Sequence, residues 1–295
     1  MIHDTNRLSR TSPPIKVSFE FFPPKTEEME TQLWESIHRL CPLGPRFISV
    51  TYGAGGSTRQ RTHATVERLV RETTVKPAAH LTCVGASRAE IDGIVRDYHR
   101  AGVRHIVALR GDSPGGLDAP YVAHPDGYQR TEDLVAAIKR IGDFEVSVSA
   151  YPERHPQSPN LLHDVEALKR KVDAGADRAI TQFFFDNSVY LRFLDVAAAA
   201  GINIPIVPGV VPVQNFKQTA NFARRAGASV PDWLAERFNG LDDDPTTRRL
   251  VAAAVCAEQV LDLIDNGVTH LHFYTMNRAD LVFAICHLVG LRASA

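Results

Sequence analysis

The sequence predicts an α/β fold, a (β/α)8 barrel with extra helices before the last strand. Three observations predict it. Eight apolar runs rich in β-branched and aromatic residues alternate with helix-patterned stretches. The 295 residues suit a barrel of about 250 residues with insertions. The strand ends are polar, and such barrels gather their chemistry at those ends.

The first strand is expected over Ile15–Phe22, where Val17, Phe19 and Phe21 alternate with Lys16, Ser18, Glu20 and Phe22. A helix near 27–40 leads to the strand Arg46–Tyr52. Gly53 to Gly56 then form a tight turn, and Ser57 with Gln60 has capping-box spacing for a helix near 58–72. Strand Pro77–Cys83, a helix near 87–100 and strand His105–Arg110 follow. A helix near 131–140 precedes the strand Phe144–Tyr151. The helix near 161–174 ends at Gly175, and the one near 187–200 at Gly201, because a left-handed C-terminal residue suits glycine. Strand Arg178–Phe185 lies between these two helices. Strand Ile204–Val210 precedes a helix near 215–227. A longer helical excursion over 231–266 leads to the last strand, His270–Thr275, and Leu281–Leu288 closes the chain. The run Asp242–Asp244 before Pro245 reads as a helix-start cap. No linker or charge block divides the chain, so one catalytic domain is expected over 15–295 after a flexible tail over 1–14.

Composition narrows the function classes. The formal net charge of −1 implies neither a nucleic acid nor a membrane surface as partner. The four cysteines are far apart with no CxxC, so no disulfide framework or zinc site is signalled and a reducing, cytoplasmic setting is expected. No run approaches the roughly 20 apolar residues of a membrane span, and the first residues lack a signal-peptide core.

Glu20 is the residue that demands explanation, because a charged side chain in so apolar a strand is costly unless paired or protonated. Desolvation by the neighbouring phenylalanines is expected to raise its pKa, which suits a proton donor. A structural Glu paired with Arg or Lys is the other reading. The remaining strand ends favour a functional mouth. They offer Ser49 and Thr51, His80 and Thr82, Arg110-Gly111-Asp112, and Ser147, Ser149 and Tyr151. Gln182 and then His270, His272 and Tyr274 complete the set. Within each strand these groups share a parity.

Several chemistries are disfavoured. Gly53-Ala54-Gly55-Gly56 is a weak dinucleotide match, since Thr58 stands where the third glycine belongs. The twelve histidines form no HExxH or metal-ligand trio. No serine sits in GxSxG, and no lysine ends a strand as a Schiff base would require. Arg110, His155, Arg170 and Lys171 can face phosphates. Phe183–Phe185, Phe216, Phe222 and Tyr274 offer flat surfaces. That inventory suggests an aromatic cofactor with a diphosphate. A flavin-independent barrel lyase or isomerase with Glu20 as general base, and a noncatalytic binding barrel, are the other classes.

At these residues the chain resembles the methylenetetrahydrofolate reductases. The likeness runs from about Lys16 to Gly290 through SFEFFPP (18–24), SVTYGAGGS (49–57), HLTC (80–83), ALRGD (108–112) and AYPERHP (150–156). It continues through LKRKVDAGADRAITQFFFD (168–186), PGVVPVQNFKQ (208–218), GLDDD (240–244) and HFYTMNRAD (272–280). The resemblance implies a barrel that binds FAD noncovalently. It implies reduction of 5,10-methylenetetrahydrofolate to 5-methyltetrahydrofolate at the expense of NADH or NADPH. The chain looks like the bacterial single-domain form, without the S-adenosylmethionine-sensing domain of eukaryotic members. FAD retention in the family is linked to subunit association, so a homo-oligomer is expected.

The family's catalytic acid falls on Glu20, which would protonate folate N10 and open the ring to an N5 iminium for hydride from flavin N5. Its flavin-site aspartate falls on Asp112, placed to stabilise developing positive charge and tune the flavin. Flavin contacts carry over to Thr51, Tyr52, Ala54, His80, Leu109, Arg110, Gly111, Thr131, Tyr151, His155, Asp164, Arg170 and Lys171. Substrate contacts carry over to Asp112, Gln182, Gln218, Phe222, Tyr274 and Arg278. The chain departs from the family pattern over Gln129–Val135, around Thr131. It also has Ala167 where an asparagine is common, which shifts that contact to Asp164 and Lys171.

Overall fold

The computed structural model describes residues 14–52, 58–113 and 119–293. Apart from Pro14, the expected tail lies outside these residues, as do Ala54 and the Ser57 half of the expected capping box.

The strands are β1 (Lys16–Phe21), β2 (Ile48–Val50), β3 (Pro77–Thr82), β4 (His105–Leu109), β5 (Glu145–Ala150), β6 (Arg178–Thr181), β7 (Ile206–Val207), β8 (Gly209–Val210) and β9 (His270–Tyr274). The helices are α1 (Glu27–Leu40), α2 (Arg59–Glu72), α3 (Arg88–Arg100), α4 (Thr131–Ile141), α5 (Leu161–Asp173), α6 (Asn187–Ala199), α7 (Phe216–Ala226), α8 (Asp232–Phe238), α9 (Pro245–Asp265) and α10 (Asp280–Leu288). All pairings are parallel, in the order β7-β6-β5-β4-β3-β2-β1-β9-β8.

The two ends of that order are halves of one strand. β7 pairs with β6, β8 pairs with β9, and only Pro208 separates them. Proline has no N–H to give a ladder. Its carbonyl still accepts the His272 N–H at 3.0 Å, so the sheet closes through the break. The fold is therefore the expected (β/α)8 barrel, with the seventh strand split rather than continuous over Ile204–Val210. Strand six is also shorter than expected, ending at Thr181. The excursion over 231–266 resolves into α8 and α9.

Local signals explain the boundaries. Asp244 caps α9 by accepting the Thr247 N–H at 3.0 Å. Gly175 follows α5 with φ 109° and Gly201 follows α6 with φ 74°. Ser87 and Glu90 form a capping box on α3, which the sequence reading passed over.

The sheet divides its side chains by parity. Val17, Phe19 and Phe21 join Leu33, Ile37, Val260 and Val282 in the layer between sheet and helices. Each such fully buried side chain stabilises the fold by about 1.5–3 kcal/mol. The opposite parity fills the barrel with polar groups, among them Ser18, Ser49, His80, His105, Ser147, Arg178 and His272. Phe47, Ala78, Val107 and Ile180 form a small apolar cluster among them.

Candidate active site

Glu20 sits near the C-terminal end of β1, opposite Ser49 of β2 and Tyr274 of β9 in the ladder register. Its side chain is 11% exposed. His272 Nε2 lies 3.4 Å from Glu20 Oε2, and Ser49 donates to the same oxygen at 3.4 Å. His80 Nε2 lies 3.2 Å away, within ion-pair reach but off the line of a hydrogen bond. Burial is the largest influence on this carboxyl and acts to raise its pKa. The two histidines together outweigh burial and hold it at about 2. The sequence expectation of a pKa raised by phenylalanines is thus corrected. Phe19 and Phe21 face the helix layer, and the inner face supplies imidazoles instead.

The imidazole of His272 is held from below. Its Nδ1 is 2.8 Å from Ser18 Oγ, which is 3.1 Å from His270 Nε2. The serine hydroxyl can donate to one ring nitrogen while accepting from the other. Burial pushes His272 below its ordinary pKa, against the pull of Glu20, and pushes His270 down to about 3. Phe47 stacks on His272 with centroids 5.7 Å apart, which fixes the ring plane.

A second sector of the mouth carries the groups matched to a flavin. Arg110 follows β4, donates to Gln157 Oε1 at 2.7 Å and covers the Tyr121 ring at 4.6 Å. Gly111 has φ 84°, and a Cβ there would meet Val84 at 2.6 Å, so only glycine leaves the backbone unobstructed. Burial raises the pKa of the half-buried Asp112, opposed by Arg110 and Arg225. Tyr151 follows β5 and meets His155 edge to face at 4.7 Å. His155 Nδ1 accepts the Gln157 N–H at 3.0 Å, which leaves Nε2 as the donor. Burial and Arg110 lower His155 to about 4, so its ring is neutral near pH 7. Asp164 accepts the His155 N–H at 2.9 Å. Arg170 pairs with Glu132 at 2.9 Å, and the buried Lys171 donates to the Ser149 carbonyl. Thr51 and Tyr52 follow β2, Leu109 ends β4, and Thr131 opens α4.

The remaining substrate-assigned residues lie after β6, on α7, and at or after the end of β9. Gln182 directly follows β6. Gln218 and Phe222 lie on α7, and the Phe222 ring, 45% exposed, lies against Phe183 at 5.4 Å. Tyr274 donates to the Thr181 carbonyl at 2.7 Å. It crosses the broken seventh strand at Gly209, where a Cβ would lie 2.3 Å from that carbonyl oxygen and 2.5 Å from the Tyr274 ring. Arg278 contacts Gln214 at 3.3 Å. Every assigned residue within the described part is therefore on the C-terminal side of the strands or on the following elements. No three-residue metal-ligating cluster occurs among the described residues.

The family model for methylenetetrahydrofolate reductase matches residues 6–290. The chain belongs to the methylenetetrahydrofolate reductase family. It is 50% identical to the 5,10-methylenetetrahydrofolate reductase of Escherichia coli over 285 residues, 97% of this chain and 94% of that protein. It is likewise 50% identical to the enzyme of that name from Pectobacterium carotovorum over 280 residues, 94% and 91% of the two chains. An Arabidopsis thaliana protein named methylenetetrahydrofolate reductase (NADH) 1 is 35% identical, with 93% of this chain matching 48% of the plant protein. Among solved structures, a Clostridium thermocellum protein that binds two copies of 5-methyl-5,6,7,8-tetrahydrofolic acid superposes with a TM-score of 0.62. At 16% identity, with 94% of each chain covered, that likeness speaks for the fold alone.

In this family member, the sequence singles out Glu20 but not its surroundings. The sequence puts His272 on the same face as Tyr274 and names no partner for it. Ser18 shares the parity of Glu20 on β1, which was the available signal for a polar column through the barrel. Thr275 and Asn277, which hold the end of β1, carried no such signal.

Proposed function

We propose that the protein reduces 5,10-methylenetetrahydrofolate to 5-methyltetrahydrofolate, using a noncovalent FAD that NADH or NADPH reduces. The observation that carries the reading is Glu20, a nearly buried carboxylate held by His80 and His272 at the barrel mouth. It stands in a chain half identical to enzymes named for that reaction.

The residues present fit an FAD. The hydroxyl of Tyr121 and the Oγ1 of Thr82 are buried without a hydrogen-bond partner among the described residues. Both lie in the sector of Arg110 and the side-chain-free Gly111. Arg110, the His155 donor and Lys171 would hold the diphosphate, with Asp164 fixing the loop that carries His155. When bound, the flavin supplies hydride-transfer chemistry.

The chain's own residues handle the proton. Glu20 is ionised in the free protein, so it becomes a donor to folate N10 only once the mouth is filled. A pterin seated over it removes the remaining solvent and shifts its pKa upward. His272, steadied by Ser18, keeps the carboxyl oriented meanwhile. Asp112 faces the positive charge that develops as the substrate ring opens. Gln182, Phe222 and Tyr274 orient the folate rings, and Arg278 meets the carboxylates of its tail.

The test is spectroscopic. Purified protein supplemented with FAD is expected to show flavin absorbance, to bleach anaerobically with NADH or NADPH, and to regain colour on adding methylenetetrahydrofolate. Protein that takes up no flavin would instead favour a flavin-independent lyase or isomerase using Glu20 as base.

A further inference from the structure

Met276 and Asn277 have φ of 54° and 56°, the only non-glycine residues with positive φ among those described. A left-handed conformation is tolerable for asparagine and unfavourable for methionine. Met276 is 42% exposed, so full burial does not offset that cost. Such strain persists only where surrounding contacts over-determine it. Here the contacts with the neighbouring strand are made at the end of β1.

The β1–β9 ladder has its last paired residues at Glu20 and Tyr274. Beyond that point side chains continue it. Thr275 donates to the Glu20 carbonyl twice, from its backbone N–H at 3.2 Å and from Oγ1 at 2.6 Å. The Asn277 amide grips the Phe22 peptide from both sides. Its Oδ1 accepts the Phe22 N–H at 2.8 Å, and its Nδ2 donates to the Phe22 carbonyl at 2.9 Å. Asn277 N–H donates to Thr275 Oγ1 at 3.1 Å, and Ser36 of α1 donates to the Asn277 carbonyl at 3.0 Å. Thr275 is fully buried and Asn277 only 7% exposed. Arg278 N–H then returns to the Thr275 carbonyl at 3.0 Å.

We propose that Asn277 is a positioning residue for Glu20, acting with Thr275 through the backbone of residues 20–22. Glu20 and His272 sit on adjacent strands, and their 3.4 Å contact survives only while β1 and β9 keep their offset. The amide grip fixes that offset at the point where the ladder has run out. The same strained turn launches Arg278, so the proton donor and the contact for the substrate tail are set by one four-residue device. The inference rests on the reading of Glu20 as the proton donor.

The test compares Asn277→Gly with Asn277→Ala in the two half-reactions, with Glu20→Gln in parallel. Glycine accepts the positive φ and alanine does not, while both lose the amide. A displacement of the donor by a fraction of an ångström is expected to slow flavin reoxidation by methylenetetrahydrofolate about 10- to 100-fold in both variants. Flavin reduction by NADH should stay within about twofold of wild type, and the pH midpoint of the folate step should move. Wild-type folate kinetics in Asn277→Gly would overturn the inference. So would equal losses in both half-reactions, which mark a merely structural residue. Should both variants fail to fold, the near-isosteric Thr275→Val, which removes the hydroxyl link to Glu20 and the acceptor for the Asn277 N–H while leaving the amide grip on Phe22, is expected to show the same selective loss; its absence overturns the inference. If Glu20→Gln itself leaves the folate step intact, the reading of Glu20 has failed independently.

Discussion

Replacing Glu20 with glutamine removes a contribution to stability that depends on pH. The folded protein holds this carboxyl at about 2, against an ordinary value of 4.5. A downward shift of that size corresponds to about 3 kcal/mol. Because the folded state favours the ionised form, the contribution is fully present above the ordinary value and is lost as pH falls toward the folded one. Relative to neutrality, about 1 kcal/mol has gone near pH 4 and about 2 kcal/mol near pH 3. Urea unfolding of wild type and Glu20→Gln, near neutrality and near pH 4, measures the difference. The variant is expected to lose about 1 kcal/mol less over that interval, with an unchanged m-value. Parallel pH dependences would refute the reasoning, because they would mean that His80 and His272 do not hold the carboxyl down.

On the proposed reading of Glu20 as the proton donor, the same shift requires the free protein to gain a proton when folate fills the mouth. Calorimetry at neutral pH in buffers of different ionisation enthalpy should therefore detect uptake approaching one proton per folate bound, abolished in Glu20→Gln. Gly209→Ala forces a Cβ against the Thr181 carbonyl and the Tyr274 ring; it should cost about 1–3 kcal/mol in urea unfolding and weaken folate binding. Burial lowers Lys171 to about 8, so its charge is lost as pH rises through that value. FAD affinity, followed by flavin fluorescence, should fall across the same window, and Lys171→Met should bind weakly without that pH dependence. The apoprotein should gain stability there, since the unfolded lysine binds its proton more tightly than the folded one, so FAD loss would not reflect unfolding.

The barrel was legible because its strands are apolar runs with polar inner parities. The polar mouth was legible because strand ends such as Arg110-Gly111-Asp112 carry charge where an apolar core would not. The environment of Glu20 was not legible. His272 is 252 positions away, and which rings meet the carboxyl depends on closure of the sheet. Pro208 and Gly209 mark the break in the seventh strand, yet a Pro-Gly pair between Val207 and Val210 still reads as a strand in one dimension. The turn at Met276 and Asn277 contains no glycine, and Asn277 is its one local hint of a left-handed backbone. The grip of Asn277 on the Phe22 peptide, with the contacts from Ser36 and Thr275, holds it in place.

On the proposed reading, Glu20 gives up a proton to the folate and has no part in flavin reduction. Anaerobic stopped-flow of FAD-loaded Glu20→Gln measures the two half-reactions separately. Bleaching by NADH is expected at close to the wild-type rate, while reoxidation by methylenetetrahydrofolate slows by about 10²-fold or more, the scale of losing a required proton donor. Reoxidation at the wild-type rate, or equal slowing of both steps, would contradict it.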